Sequence, residues 1–187
     1  MSRNYVIFLV ALITPLVSVA ADLTDASNYR QYSETLASSG QPSAAQLEDA
    51  AEQGFQRIFY LAFSDNDTAI KNEDRVVKKL GMDYIHIPVD FDRPTLADFR
   101  VFASAMHGEA ESKTLVHCQV NFRASTFTFL YRVTAKGVSM LDAKENLDDV
   151  WAPNEVWFRF IRTVLEAYGL SPACEGCDWG ANEFLTD

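Results

Sequence analysis

The residues with the clearest chemical potential lie in one short segment, residues 117–125. Within it, Cys118 and Arg123 stand where an apolar, strand-like run passes into a helix-like run. A helix N-terminus leaves N–H groups unpaired and carries a partial positive charge, so it stabilises an anion. A cysteine there is expected to ionise more readily than a free cysteine, and an arginine can bind an oxyanion through two parallel hydrogen bonds. Together these groups are suited to attack by a thiolate on a phosphoryl group.

The other residues of this segment are expected to shape the anion-binding loop. Ser125 is included with Cys118 and Arg123 among the catalytic candidates. The candidate substrate-binding residues are His117, Gln119, Val120, Asn121, Phe122 and Ala124. Of these, His117 is expected to brace the loop, and Asn121 suits a position with positive φ. The alternative interpretation is that Cys118 is an ordinary buried cysteine and Arg123 a surface residue.

A second candidate segment, residues 90–94, follows another apolar run and contains two aspartates. Proton donation to a leaving oxygen needs a carboxyl group held close to the reacting phosphate. Asp90, directly after the predicted strand, is the first candidate for the general acid, and Asp92 is the second. The alternative is that one aspartate caps the following helix and the other is simply solvated.

Apolar periodicity places both segments at the carboxyl ends of predicted strands. Strands are predicted at 35–38, 57–63, 84–89 and 114–118, and helices at 43–53, 69–80, 95–106, 123–136, 139–150 and 154–168. Ser43 and Gln46 have the spacing of a capping box at the start of the first helix. The alternation predicts a single α/β domain with a central, mostly parallel sheet of four to five strands, flanked by helices. Ligands of such folds bind at the carboxyl ends of the strands.

Composition narrows the range of partners. The chain has 187 residues and a formal net charge of -10, with 26 acidic residues against 16 Lys and Arg. Because binding to phosphate backbones relies on Lys and Arg, nucleic acid is not expected as a partner. A hydrophobic fraction of 48% also excludes disorder as a description of the whole chain.

The first 20 residues have the pattern of a signal peptide. Arg3 precedes an apolar run over 5–20, and Ser18 and Ala20 are the small residues that a cleavage site needs. The run is short of the ~20 residues that span a bilayer and contains Pro15, although an uncleaved anchor is the alternative. The sequence therefore predicts export to the periplasm or medium and no stable membrane association after cleavage. The mature chain is divided into a domain at 21–170 and a tail at 171–187.

Three cysteines leave at least one without an intramolecular partner. Cys174 and Cys177 lie in the acidic tail, and a local disulfide is expected for an exported protein. A redox motif or half of a zinc site are the alternatives. The disulfide would leave Cys118 as the free thiol. Neither a metal nor a cofactor is expected.

Residues from about 39 to 165 resemble the bacterial phosphatase-like proteins related to the dual-specificity phosphatases of the cysteine-based protein tyrosine phosphatase superfamily. The similarity is greatest to the group named after a beta-lactamase-hydrolase-like protein. It rests on Gly40-Gln41-Pro42-Ser43, Ile85-His86-Ile87-Pro88-Val89-Asp90, His117-Cys118 with Arg123-Ala124-Ser125, and Pro153-Asn154 with Val156-Trp157. The resemblance implies that Cys118 forms a phosphocysteine, that Arg123 binds phosphate, and that an aspartate protonates the leaving group and later activates water. The expected substrate is a phosphorylated small molecule, peptide or lipid.

The loop departs from the usual phosphatase signature in one respect. That signature places five residues between Cys and Arg, whereas four, residues 119–122, lie between Cys118 and Arg123. Counted from Cys118, Ser125 lies where the signature expects a hydroxyl, and Arg123 lies one place early. Rhodaneses, which carry a persulfide on cysteine, have this spacing. A sulfurtransferase is therefore one alternative function, and a pseudophosphatase that binds anions or a protein partner is the other. The oligomeric state stays open.

Overall fold

The computed structural model describes residues 21–108 and 111–180 of the chain. The predicted signal peptide lies outside the described residues, as do the last residues of the predicted tail. No helix within the described ranges is both long enough and apolar enough to cross a membrane.

A five-stranded, mostly parallel sheet forms the centre of the molecule, which confirms the predicted fold class. The strands are β1 (Arg30–Ser33), β2 (Leu36–Ser39), β3 (Arg57–Tyr60), β4 (Asp83–His86) and β5 (Thr114–His117). Their order across the sheet is β1-β2-β5-β3-β4, and β1 alone runs antiparallel to its neighbour. Because β5 is the central strand, the loop that follows it opens at the middle of the sheet edge.

Within the part of the chain that the structure describes, six helices cover the two faces of the sheet. They are α1 (Ala44–Glu52), α2 (Glu73–Lys79), α3 (Leu96–Gly108), α4 (Phe122–Ala135), α5 (Met140–Asp148) and α6 (Glu155–Ala167), and a single 3-10 turn, Leu23–Asp25, precedes β1. The larger core joins the sheet to α3, α4, α5 and α6, whereas the smaller core lies against α1 and α2. Burial on both faces explains why β3 and β5 have no exposed residue.

Two elements differ from the prediction for identifiable reasons. The second helix begins at Glu73 rather than at 69, because Asn72 adopts a left-handed conformation with φ 57° that a helix cannot continue through. Strand β1 was not predicted, because none of its four residues is buried and its apolar content is low. The capping box at Ser43 is confirmed. The Ser43 side chain accepts from the Gln46 N–H, and the Gln46 side-chain oxygen accepts from the Ser43 N–H.

The tail packs against the domain as far as the described residues extend. Trp179 is buried in the larger core, and its Nε1–H donates to the Pro172 carbonyl at 3.0 Å. Cys174 and Cys177 are joined by a disulfide, with 5.3 Å between their Cα atoms. Among the described residues, Cys118 is the free cysteine.

Candidate functional site

The loop between β5 and α4 is closed by an asparagine in a left-handed conformation. Asn121 has φ 73°, as its residue type predicted, and it is the N-cap of α4 without any side-chain capping bond. Its Nδ2 instead donates to the Asn28 carbonyl at 2.5 Å, which fixes the loop to the segment before β1. Because no side chain caps α4, its first N–H groups stay available to an anion.

A glycine in the neighbouring loop allows close approach to this loop. The Gln41 N–H donates to the Gln119 carbonyl at 3.0 Å. A Cβ built on Gly40 would lie 2.8 Å from the same carbonyl oxygen, a distance that side chains do not tolerate. The sequence Gly40-Gln41 therefore supports the back of the loop.

Cys118 lies at the floor of the loop, only 1% exposed. Its N–H donates to the Ser39 carbonyl of β2 at 3.3 Å, which continues the hydrogen bonding of the sheet into the loop. The preceding His117 is completely buried, and its ring stacks on Tyr60 with centroids 4.7 Å apart. Its Nε2 lies 3.0 Å from the Glu73 Oε1. His117 therefore points away from the solvent side of the loop and braces it.

Arg123 is the buried cation of the site, 5% exposed in the first turn of α4. One terminal N–H group donates to the Gln119 Oε1 at 2.9 Å. Its Nε is buried and has no hydrogen-bond partner among the described residues. A buried donor without a partner costs free energy, and an oxyanion oxygen would satisfy it.

The segment predicted to hold the general acid lies against this arginine. The guanidinium carbon of Arg123 is 5.3 Å from the centroid of the Phe91 ring. The Phe91 carbonyl accepts from the Trp157 Nε1–H at 2.9 Å, which ties the segment to α6. The structure therefore brings the two segments singled out in the sequence together, with Phe91 between the two candidate acids.

Asp90 is held in place by its own segment. It accepts from the Asp92 N–H at 2.9 Å and from the Arg93 side chain at 3.1 Å and 3.2 Å. These contacts hold the pKa of Asp90 below its ordinary value, chiefly through the Asp92 N–H bond and further through Arg93. Asp90 is therefore ionised at neutral pH in this arrangement. Asp92 is an exposed residue.

The remaining predicted residues divide between the rim and the interior. Val120 is 40% exposed at the rim, and Phe122 stacks on Trp151 with ring centroids 4.5 Å apart. Ala124 is wholly buried and lies in the larger core. The Ser125 hydroxyl donates to the Phe122 carbonyl at 3.2 Å and is thereby engaged within the helix.

Glu73 is the residue of this region that the sequence did not single out. It begins α2, is 4% exposed, and accepts from the Gln41 side chain at 3.2 Å as well as lying against His117. A glutamate at the start of a helix is usually solvated and interacts favourably with the helix dipole. Its type and position therefore did not predict the contact with His117.

Comparison with known proteins identifies the family. A family model described as "DSP-PTPase phosphatase fused to NAD+ Kinase" matches residues 11–151, which is more than half of the chain. The chain belongs to this family. The phosphatase-type family lies in the cysteine-based protein tyrosine phosphatase superfamily, so the resemblance drawn from the sequence is confirmed. Among curated proteins, none matches the chain.

Solved structures agree with this family assignment. A DUF442 protein from Shewanella putrefaciens CN-32 is 30% identical, with a match that covers 79% of this chain and 94% of that protein and a TM-score of 0.71. TpbA from P. aeruginosa, solved as a cysteine-to-serine variant with pTyr, is 18% identical over 80% of this chain and 94% of its own, with a TM-score of 0.60. Tk-PTP in its active form is 18% identical over 74% and 97%, with a TM-score of 0.62. The last two show the fold that this family shares.

Proposed function

We propose that this protein is a phosphoric monoester hydrolase that works through a phosphocysteine on Cys118. One observation supports the proposal above the others: among the residues that the structure describes, the buried Nε of Arg123 has no hydrogen-bond partner. It lies in the first turn of α4, directly after the loop that holds the free thiol. A helix N-terminus and a guanidinium together bind the oxygens of a phosphoryl group and stabilise the charge that develops on them.

The chemistry follows in two steps. In the first, the Cys118 thiolate donates an electron pair to phosphorus, the bond from phosphorus to the leaving oxygen breaks, and Asp90 gives that oxygen a proton. In the second, water attacks the phosphocysteine, Asp90 takes a proton from the water, and the sulfur leaves with the electrons of its bond to phosphorus. Phosphate and the starting thiolate are the products.

The short loop is compatible with this role because Gln119 reaches across it. With four residues between Cys118 and Arg123, the Gln119 side chain lies one helical turn before the arginine and accepts its hydrogen bond. The same amide group carries two N–H donors of its own, which can supply a contact that a longer loop would provide from its backbone.

The substrate is proposed to be a phosphorylated small molecule, peptide or lipid. The aromatic residues beside Arg123 favour a leaving group with an apolar face, since Phe122 stacks on Trp151 and Phe91 contacts the guanidinium. Work in the periplasm or medium is also proposed, supported by the N-terminal sequence pattern and by the disulfide of the tail.

The test is hydrolysis of an aryl phosphate by the full chain, compared with Cys118→Ser. Turnover by the wild type and none by the variant are expected, because a serine hydroxyl is a far weaker nucleophile than a thiolate at neutral pH. Equal turnover by both proteins would exclude the phosphocysteine route.

The four-residue spacing favours one second candidate, a sulfurtransferase that carries a persulfide on Cys118. Cyanide-dependent formation of thiocyanate from thiosulfate would establish it. If both assays are blank while the folded protein binds vanadate, the chain is a pseudophosphatase that binds anions.

A further inference from the structure

A cavity lies at the end of the sheet opposite to the reactive loop. Leu36 and Thr114 line it, and these are the paired first residues of β2 and β5, whereas the loop that holds Cys118 follows the last residue of β5. Its other walls come from the β1–β2 hairpin and from the ends of α3 and α4. Its volume is about 260 Å³. Pockets for drug-sized ligands have about 300–1,000 Å³, so this cavity fits a smaller molecule.

Part of the lining is apolar. Leu36, Met106 and Tyr131 are buried members of the larger core, and Val138 packs against that core. Thr114 adds a hydroxyl group, although its own hydrogen bond to the Ser112 carbonyl engages it at 2.8 Å. Sites for small molecules combine such apolar surface with a few polar groups that fix the orientation of the ligand. The charged groups of the cavity therefore decide which ligand it suits.

Arg132 is a partly buried cation in this lining. Its Nη1 donates to the Asn146 Oδ1 at 2.7 Å, and its guanidinium carbon lies 4.9 Å from the centroid of the Tyr32 ring. Burial raises the pKa of Tyr32 to about 12, so this phenol is neutral at neutral pH, and burial lowers the pKa of Arg132 itself. Asp142 opposes that last shift from a longer distance, and no carboxylate of the described residues forms an ion pair with the Arg132 guanidinium. The positive charge of Arg132 is therefore available to an anion.

The other charged groups leave the lining with one net positive charge. Lys136, an exposed residue one helical turn after Arg132, lines the cavity as a second cation, with its Nζ 5.8 Å from the centroid of the Tyr131 ring. Glu111 is the acid of the lining, so two cations face one carboxylate. Lys113 lies between two lining residues, but its Nζ donates to the Gln53 carbonyl at 2.9 Å, away from the cavity.

Two further ionisable residues neighbour the cavity without lining it. Glu34 lies in the turn of the β1–β2 hairpin, and His107 follows Met106 on α3. Both are exposed to solvent, where water screens their charges. The net charge of the lining is therefore the charge that a ligand meets.

We propose that this cavity is a second ligand site, which binds a small organic monocarboxylate with an apolar body. The guanidinium of Arg132 binds the carboxylate, Lys136 adds a second positive charge, and the apolar residues contact the body of the ligand. One negative charge balances the net charge of the lining, whereas a phosphate dianion exceeds it. Arg132 lies nine residues after Arg123 on α4, which is about 13 Å along the helix axis. The site is therefore separate from the reactive loop, and the inference does not depend on the proposed hydrolysis.

The test is an NMR titration of the full chain with benzoate, with benzamide as the neutral analogue of the same shape. Benzoate should shift the methyl signals of Leu36, Met106 and Val138 and give intermolecular NOEs to them. Benzamide should bind about tenfold more weakly, because it lacks the charge that strengthens the hydrogen bonds to Arg132. The proposal is wrong if benzoate leaves these methyl signals unchanged, if its NOEs go to Val120 of the reactive loop instead, or if benzamide binds equally well.

Variants of the two cations show which groups bind the carboxylate. Arg132→Gln removes the charge and keeps a side-chain amide that can still donate to Asn146, and it should weaken benzoate binding by about tenfold. Arg75→Gln is the matched control, since Arg75 is an exposed residue of α2 on the other face of the sheet, and it should leave benzoate binding unchanged. Equal binding by the Arg132→Gln protein and the wild type would overturn the proposal.

A second variant keeps the test open if Arg132→Gln does not fold. Lys136→Glu changes an exposed side chain, so the fold should tolerate it, and it turns the net charge of the lining from positive to negative. Benzoate binding should weaken by about tenfold, while benzamide binding should stay the same. An equal loss for both ligands would mean that the change distorts the cavity rather than its charge, and it would overturn the assignment of Lys136. No loss for either ligand would overturn it as well.

Discussion

Helices α2 and α4 begin in the same way and yet present opposite surroundings to an anion. Each follows an asparagine in the left-handed conformation, Asn72 at φ 57° and Asn121 at φ 73°, and neither asparagine caps its helix with its side chain. The first turn of α2 carries two acids, Glu73 and Asp74, which compensate its partial positive charge. The first turn of α4 carries no acid and places Arg123 there instead. An uncapped helix N-terminus is therefore suited to bind an anion when its first turn carries no carboxylate.

The two helix starts also differ in how firmly they are held. Asn72 is exposed, and α2 is only seven residues long. Asn121 is buried, bonds to the Asn28 carbonyl, and leads into a 14-residue helix that is buried over ten positions. A site that must hold a transition state needs such fixed support, because small displacements weaken every contact.

The largest effect should come from removing the cation that distinguishes α4. Arg123→Ala is expected to lower kcat/KM for an aryl phosphate by about 10³-fold, as for loss of an oxyanion-binding group. Arg123→Lys is the matched control, since it keeps the charge but not the paired hydrogen bonds, and it should retain part of the activity. An alanine variant that folds and stays within about tenfold of the wild type would remove Arg123 from the site.

The acid segment contacts Arg123 of α4 through Phe91, and loss of its acid should give the next largest effect. Asp90→Asn is expected to slow turnover by about 10²-fold, the lower end for a general acid, and more than Asp92→Asn does. The reverse order would assign the acid to Asp92.

The pH profile gives an independent test of Asp90. Because its pKa is held low, the protonated acid is lost as pH rises, so kcat should fall from acid toward neutral pH. Arg93→Ala removes one cause of the low pKa and should move this fall to higher pH. A profile unchanged by Arg93→Ala would contradict the assignment of Asp90.

A carboxylate can be introduced next to the start of α4, so that this helix start carries a nearby acid as α2 does. Gln119→Glu places an acid against Arg123, where the amide oxygen now lies 2.9 Å away. Vanadate binding, measured by calorimetry, should weaken by about tenfold, the equivalent of ~1.4 kcal/mol. Gln119→Ala is the control for loss of the amide alone and should weaken binding less. Equal weakening by both would show that the added charge is irrelevant.

The smallest effect concerns the two asparagines themselves. Glycine adopts their backbone conformation freely, so Asn72→Gly should change the free energy of unfolding by only a few tenths of a kcal/mol. Asn121→Gly loses the bond to the Asn28 carbonyl and should cost about 1 kcal/mol, measured by urea denaturation. If the two variants cost the same, the buried bond of Asn121 contributes nothing.

The features that could be predicted from the sequence are those that depend on local patterns of residues. Strands β3 and β5 could be predicted because each lies in a continuous apolar run. The reactive loop could be predicted because Cys118 and Arg123 lie within one short segment of the sequence. The start of α2 was placed too early, because the left-handed conformation that asparagine tolerates was considered at Asn121 and not at Asn72.

The features that could not be predicted from the sequence depend on contacts between segments that are distant in the chain. Glu73 meets His117 only because folding brings the first residue of α2 to the last residue of β5. Trp179 lies in a segment without periodicity, and it is buried through ring contacts with Phe129 of α4 and Phe158 of α6. No spacing within either segment carries this information.

Trapping of the covalent intermediate is the decisive experiment for the phosphocysteine route. The full chain is mixed with an aryl phosphate, quenched in acid during turnover, digested, and analysed by mass spectrometry for phosphate on the peptide that contains Cys118. We expect phosphate on the Cys118 sulfur and none in the Cys118→Ser protein. Turnover without phosphate on Cys118, or with phosphate on another residue, would contradict it.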